Sequence, residues 1–437
     1  MLAIEKHTEL KNRLNRARTE TDRLFDIVRP DSLYERPIPE RHRIVFYLGH
    51  LEAFDWNLLR EPLGLKVFHP EFDRLFAFGI DPVDGGLPSD QPTDWPSIDQ
   101  VRGYDQQIRR ALDDAVDSAG PGRGHEGENR RVLLNVAIEH RLMHAETLAY
   151  MLHQLPLDRK VGPPSTPRTH SAPVAPGMVE VPAGAATLGI PRDNGHFGWD
   201  NEFQENTVEV PAFGIDRYKV THREFLRFVD AGGYEERSFW TDPDWAWRTA
   251  QNVTHPAFWL RSEDRWHLRT MFDEIDLPLD WPVYVSHAEA SAYARWAGKA
   301  LPTEAQWHRV AYGTPRGKER QYPWGSKPPQ GPTYGNFDFQ SWDPTCVNAS
   351  PEGRSALGAE DLLGNGWEWT STVFQPFPGF EPFPFYPGYS ANFFDGQHFV
   401  MKGGSPRTAA CMLRRSFRNW FQPHYPYVYA GFRCVSN

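Results

Sequence analysis

Asn135-Val-Ala-Ile-Glu-His140-Arg-Leu-Met-His144-Ala-Glu-Thr-Leu148 carries two histidines four residues apart. Leu133, Val136, Ala137 and Leu148 recur on the same side at helical spacing, so the stretch reads as a helix whose inward face bears both imidazoles. Two charged imidazoles on an apolar face would be costly, whereas a divalent metal satisfies both as neutral ligands. A third candidate is His50, in Phe46-Tyr-Leu-Gly-His50-Leu-Glu-Ala-Phe54, where Phe46, Tyr47 and Phe54 mark the inward face of a second helix. Three interior histidines leave coordination positions open, which suits a catalytic ion. Ligand identity alone does not separate zinc from iron(II).

Working outward from these helices, the periodicity predicts four, near 3–28, 41–60, 97–118 and 126–154, forming a bundle over residues 1–155. Between the second and third, Pro82, Gly85, Gly86, Pro88, Pro92 and Pro96 predict a long loop. A proline-rich linker is expected over 156–177, where Gly162-Pro-Pro-Ser-Thr-Pro-Arg-Thr-His-Ser-Ala-Pro-Val-Ala-Pro-Gly177 excludes helix. Residues 178–437 read as short strands alternating with turns and Gly/Pro/aromatic loops, with helical stretches near 221–231 and 287–297. The fold class expected is therefore multidomain, an α bundle followed by an α+β domain.

Composition agrees. A chain of 437 residues exceeds what one core usually organises. Its 16 Trp, 28 Phe, 39 Pro and 35 Gly point to loops anchored by aromatic rings. The formal charge of −10 argues against nucleic acid and anionic membranes as partners and favours small molecules. No run of 18 apolar residues appears and the first residues lack the apolar centre of a signal peptide, so a cytoplasmic location is expected. Cys346, Cys411 and Cys434 are too few and scattered for a disulfide framework or a four-thiolate zinc site.

Several phrases in the second half resemble the formylglycine-generating-enzyme type domain, an irregular C-type-lectin-like fold. They are Asp216-Arg-Tyr-Lys-Val-Thr221, Leu301-Pro-Thr-Glu-Ala-Gln-Trp307, Gly364-Asn-Gly-Trp-Glu-Trp-Thr370, Lys402-Gly-Gly-Ser405, Arg414-Arg-Ser-Phe-Arg-Asn-Trp-Phe421 and Ala430-Gly-Phe-Arg-Cys434. The peptide-oxidising members depend on a cysteine pair after the Gly-Gly-Ser phrase, and here only Cys411 stands there. Gly49-His50 and His140-x3-His144-x-Glu146, joined to such a domain, are instead similar to the DinB-like bundle of ergothioneine-pathway (EgtB-type) sulfoxide synthases.

That resemblance implies that His50, His140 and His144 bind iron(II), and that O2 drives attachment of a thiol sulfur to the ring of N-α-trimethylhistidine (hercynine). It implies a substrate pocket at Asn419-Trp420-Phe421, with Asn419 holding the carboxylate and an aromatic face meeting the quaternary ammonium. It also implies a proton-donating tyrosine near the metal. Tyr386 is the best match, with Tyr389, Tyr427 and Tyr429 as rivals.

The chain departs from the family pattern in four places. Relatives using γ-glutamylcysteine carry an acidic residue after Asn-Trp, an arginine four positions later and an arginine-rich loop after the second helix. Here those places read Phe421, Tyr425 and an arginine-free Gly79-Ile-Asp-Pro-Val-Asp-Gly-Gly-Leu-Pro-Ser-Asp90, so free cysteine is the donor expected. Met143 stands before the third histidine where some relatives have glutamine. A γ-glutamylcysteine-using or selenium-attaching relative, and a non-catalytic lectin-like binding module, are the alternative readings.

Overall fold

The computed structural model describes residues 2–78, 87–120, 124–162, 173–192 and 195–436. The arginine-free loop lies largely outside them, at 79–86, as does the central part of the linker, at 163–172. Two compact units divide the chain, Met1–Pro164 and Ser165–Asn437.

The first unit holds helices α1 (Leu2–Asp26), α2 (Ile44–Leu59), α3 (Pro70–Phe78), α4 (Ile98–Ala119) and α5 (Gly124–His153). Four of these occupy the spans read from periodicity. On α1, Leu10, Leu14, Ala17, Thr21 and Leu24 form one buried stripe that packs on α5, each leucine worth roughly 1.5–3 kcal/mol of burial. Helix α4 begins at a capping box, in which the Ser97 hydroxyl accepts from Gln100 N and Gln100 Oε1 accepts from Ser97 N.

Helix α3 corrects the expectation of an uninterrupted loop between α2 and α4. Pro70 is preset for a first helical turn, and Glu71 and Asp73 sit in that turn, where the positive end of the helix dipole favours them. Phe72 and Phe76, one turn apart, then pack on the Tyr104 ring of α4 at centroid distances of 5.4 and 5.9 Å. Burial of these rings outweighs the loop-forming residues around them.

The second unit builds small sheets from short strands. Strands β1 (Met178–Val181), β2 (Gly184–Leu188), β3 (Asn206–Val210), β4 (Phe213–Asp216), β5 (Trp259–Ser262), β6 (Arg265–Arg269), β7 (Glu274–Asp276), β8 (Trp367–Val373), β9 (Phe399–Lys402), β10 (Asn419–Phe421), β11 (Ala430–Gly431) and β12 (Val435–Ser436) pair in the orders β1-β4-β12, β2-β3, β5-β6-β7 and β10-β9-β8-β11. A core of Val179, Val181, Ile215, Trp307, Val310, Phe337 and Leu362 lies beneath the first of these.

Helices α6 (His222–Asp230) and α8 (His287–Trp296) match the two expected helical stretches, and α7 (Asp242–Ala250), α9 (Glu304–Tyr312) and the single turn α10 (Gly388–Ala391) are additional. Helices α6 to α9 start at Thr221, Thr241, Ser286 and Thr303, whose side chains accept from the backbone N–H three residues on. Gly364, Asn365 and Gly366 all have positive φ, and a Cβ at Gly364 would run into the Asn336 carbonyl. This turn lets the buried Asn365 amide bond Thr345 N and O and Asp361, locking the start of β8.

Candidate functional site

The bundle places three imidazoles against one another: ring centroids lie 5.3 Å apart for His50 and His140, 4.9 Å for His50 and His144, and 4.5 Å for His140 and His144. Each ring offers a nitrogen within 4.8 Å of the others, and among the described residues this is the one group of three or more His, Cys, Asp or Glu side chains placed to hold a metal ion. Imidazole nitrogens that bind one ion lie roughly 2.1 Å from it.

The Gly-His pair of α2 acquires a physical reason here. A Cβ on Gly49 would stand 2.6 Å from the Phe76 ring, so only glycine lets α3 approach this closely. The Phe76 carbonyl then accepts from His50 Nδ1–H at 2.6 Å, which fixes the tautomer and leaves Nε2 with a lone pair. Phe46 stacks on His50 at 4.7 Å, and Phe54 lies parallel to His140 at 3.4 Å. His50 and His140 are buried and His144 is half-buried.

Burial pushes the His50 pKa down to about 4, with the Phe76 carbonyl opposing. His140 and His144 are also held well below the ordinary imidazole value, first by burial and then by the neighbouring imidazoles. Three neutral imidazoles with no thiolate or carboxylate among them form a donor set that suits iron(II), zinc or copper. The residues present therefore fit the metal that the family resemblance implies.

Periodicity alone missed the charge network beside these rings. Arg141, wholly buried on α5, donates to Glu52 Oε1 (2.9 Å), Asp55 Oδ2 (2.7 Å) and the Leu51 carbonyl (2.9 Å) on α2. Burial alone would lower the Arg141 pKa, and the Asp55 and Glu52 carboxylates more than reverse that, so the guanidinium stays charged.

In the second unit, Asn419, Trp420 and Phe421 form strand β10, paired with Met401, Val400 and Phe399 of β9, and all three are half-buried. The strand is held by its preceding residues. Arg414 Nε and Ser416 Oγ donate to Glu202, Arg415 to Glu319, and Arg418 Nε to Glu304. Trp420 lies flat on Phe374, ring centroids 4.1 Å apart, with the Tyr389 ring edge-on at 5.5 Å. Phe421 stacks on Tyr425 at 5.2 Å. Asn419 Oδ1 accepts from Trp420 N, leaving the amide NH2 as its donor end.

Tyr386 belongs to the same aromatic group. Its ring is 5.6 Å from Tyr389, which in turn faces both Trp199 and Trp420. Burial, and then the Asp200 carboxylate, push the Tyr386 phenol above its ordinary value, so it holds its proton at neutral pH. Among its rivals, Tyr429 is buried beside Phe258 and Tyr284, whereas Tyr427 contacts Tyr425.

Residues 164–437 match the sulfatase-modifying factor enzyme 1-like domain and residues 13–148 match the DinB superfamily. A hercynine oxygenase of Mycolicibacterium thermoresistibile is 34% identical over 99% of this chain and 96% of its own. One of Mycobacterium tuberculosis is 39% identical over 77% of each chain. Ergothioneine biosynthesis protein 1 of Neurospora crassa is 28% identical over 93% of this chain and 55% of its own. Among the described residues, no helix is long and apolar enough to cross a membrane.

Proposed function

Because the chain belongs to the hercynine oxygenase family, we propose that it uses O2 to join a thiol sulfur to the imidazole ring of hercynine, forming a sulfoxide in ergothioneine biosynthesis. The convergence of His50, His140 and His144 carries this reading. The ion assigned to them is iron(II), which when bound supplies one-electron chemistry with O2 and lowers the pKa of a coordinated thiol.

The chain's own residues orient the reactants. His50, with Nδ1–H committed to Phe76, presents Nε2 as a ligand atom. The trimethylammonium group of hercynine has no N–H donor, so it takes the ring faces of Trp420 and Phe421, each worth about 0.5–2 kcal/mol. The Asn419 amide NH2 donates to its carboxylate. Tyr386, protonated at neutral pH, is the candidate proton donor, and it reaches Trp420 through Tyr389.

Free cysteine is the donor assigned, because Phe421 and Tyr425 offer no bidentate partner to a second donor carboxylate. Both substrates are small molecules, and neither nucleic acid nor membrane is needed. The test is anaerobic loading with iron(II), then exposure to O2 with hercynine and, separately, cysteine, γ-glutamylcysteine or a selenol, with products read by mass spectrometry. A cysteine-derived sulfoxide is expected. Turnover with γ-glutamylcysteine alone would overturn the donor, and no adduct with any donor would favour a non-catalytic binding module.

A further inference from the structure

Resting on the metal reading of the three histidines, we propose that Arg141 is a positioning residue that sets the register of α5 against α2 and so makes the imidazoles converge. The ligands come from two helices, His50 from α2 and His140 and His144 from α5. The chain neighbours of two ligands are bonded directly to each other. Arg141 follows His140, and its Nη2 donates to the carbonyl of Leu51, which follows His50. The same guanidinium reaches Glu52 Oε1 at 2.9 Å and Asp55 Oδ2 at 2.7 Å, all three side chains being almost fully buried.

These contacts define geometry more than stability. A buried ion pair is weak evidence for stability, because desolvation of its charges opposes their attraction, and holding a register is its best-attested use. Apolar ridges can slide against each other. A planar guanidinium bonded to one main-chain oxygen and two carboxylates cannot slide without breaking charge-assisted bonds. A slip of one residue would displace an imidazole by about 1.5 Å along the axis and swing it by about 100°, which destroys the convergence. Arg109 provides an internal comparison: from α4 it donates to the same Glu52 and to Asp22, without linking α2 to α5.

The experiment titrates cobalt(II) into the full chain, following its visible ligand-field spectrum, with far-UV circular dichroism and melting of the metal-free protein alongside. Arg141→Lys keeps the charge and loses the fork, and it is expected to lower cobalt affinity about 10- to 100-fold and to alter the spectrum, with helicity retained. Arg109→Lys is expected to bind as the wild type does. If Arg141→Lys fails to fold, Asp55→Asn decides, since it removes the charge of one strut and leaves Glu52 and the Leu51 carbonyl in place. Wild-type affinity and spectrum in the variant that folds would overturn the proposal, as would a loss that merely tracks lost helicity or is matched by Arg109→Lys. A wild-type chain that takes up no cobalt would instead overturn the metal reading itself.

Discussion

The Nδ1–H of His50 donates to the carbonyl oxygen of Phe76 over 2.6 Å, and the Phe76 ring occupies the space that a Cβ on Gly49 would need. Helix α3 thus orients the His50 ring on α2 through its main chain. Gly49→Ala must push Phe76 aside, at about 1–3 kcal/mol for an overpacked core. It should also release His50 from its tautomer. We expect iron(II) affinity to fall at least tenfold, measured by competition with a chromogenic chelator. Unchanged affinity would mean that the Phe76 contact does not orient the ligand.

Replacing Trp420 should change recognition of the quaternary ammonium more than the fold. Trp420→Phe retains a ring against Phe374 but offers a smaller, weaker face. Losing part of the roughly 0.5–2 kcal/mol of that contact would weaken hercynine binding by at most about 30-fold. Calorimetry with hercynine and with histidine provides the check, since the preference for hercynine should narrow. An equal loss for both ligands would point to packing alone.

Glu304→Gln should be among the most damaging changes in the second unit. It removes the carboxylate facing Arg418 and Lys402, both of them buried. Burial already pushes Lys402 down to about 8, with Glu304 opposing. Removing the countercharge of two buried cations costs about 3–5 kcal/mol, which urea unfolding would read as a lower midpoint at unchanged slope. A shift below about 1 kcal/mol would show that the ion pairs hardly stabilise the strand.

Acidification should destabilise the second unit well before most carboxylates titrate. Burial pushes His222 down to about 3 and His287 to about 4. Above the unfolded value of about 6.5 both forms are neutral, and stability is complete. As pH falls below that value the unfolded chain takes up protons that the folded chain refuses, so stability declines by about 2 kcal/mol per histidine at pH 5. His222→Gln does not titrate and keeps an acceptor for Trp259 Nε1–H. Its unfolding free energy should fall less steeply between pH 6.5 and 5 than that of the wild type, and identical slopes would refute the assignment.

Much of the bundle and its histidine triad could be read from the sequence, because helical periodicity directly reports which residues share a face. Leu133, Val136, Ala137 and Leu148, like His50 and His140, are buried where that spacing places them. What escaped depends on contacts between segments. Helix α3 was hidden among turn-forming residues, and its stabilising rings act against segments distant in sequence, among them α4 and Trp95. Arg141 reads as a surface charge until Glu52 and Asp55 are seen around it. The Phe76 carbonyl has no side-chain signature at all. In the second unit, α7 and α9 had local signals in Thr241 and Thr303, but short helices between loops lack the turns needed for a clear period. The ring contacts that join Tyr386 to Trp420 through Tyr389 likewise exist only in the folded loop.

The most direct measurement is a single-turnover experiment in which iron(II)-loaded protein, hercynine and cysteine are mixed with O2, quantifying O2 consumed and sulfoxide formed. Wild type and His50→Ala, His140→Ala and His144→Ala would be compared at matched helicity. The expected result is one sulfoxide per O2 in the wild type and at least a hundredfold loss in each variant, with bound iron lost in parallel. Sulfoxide formation that survives removal of any of the three imidazoles, or a wild type that binds iron and hercynine yet consumes no O2, would contradict the assignment.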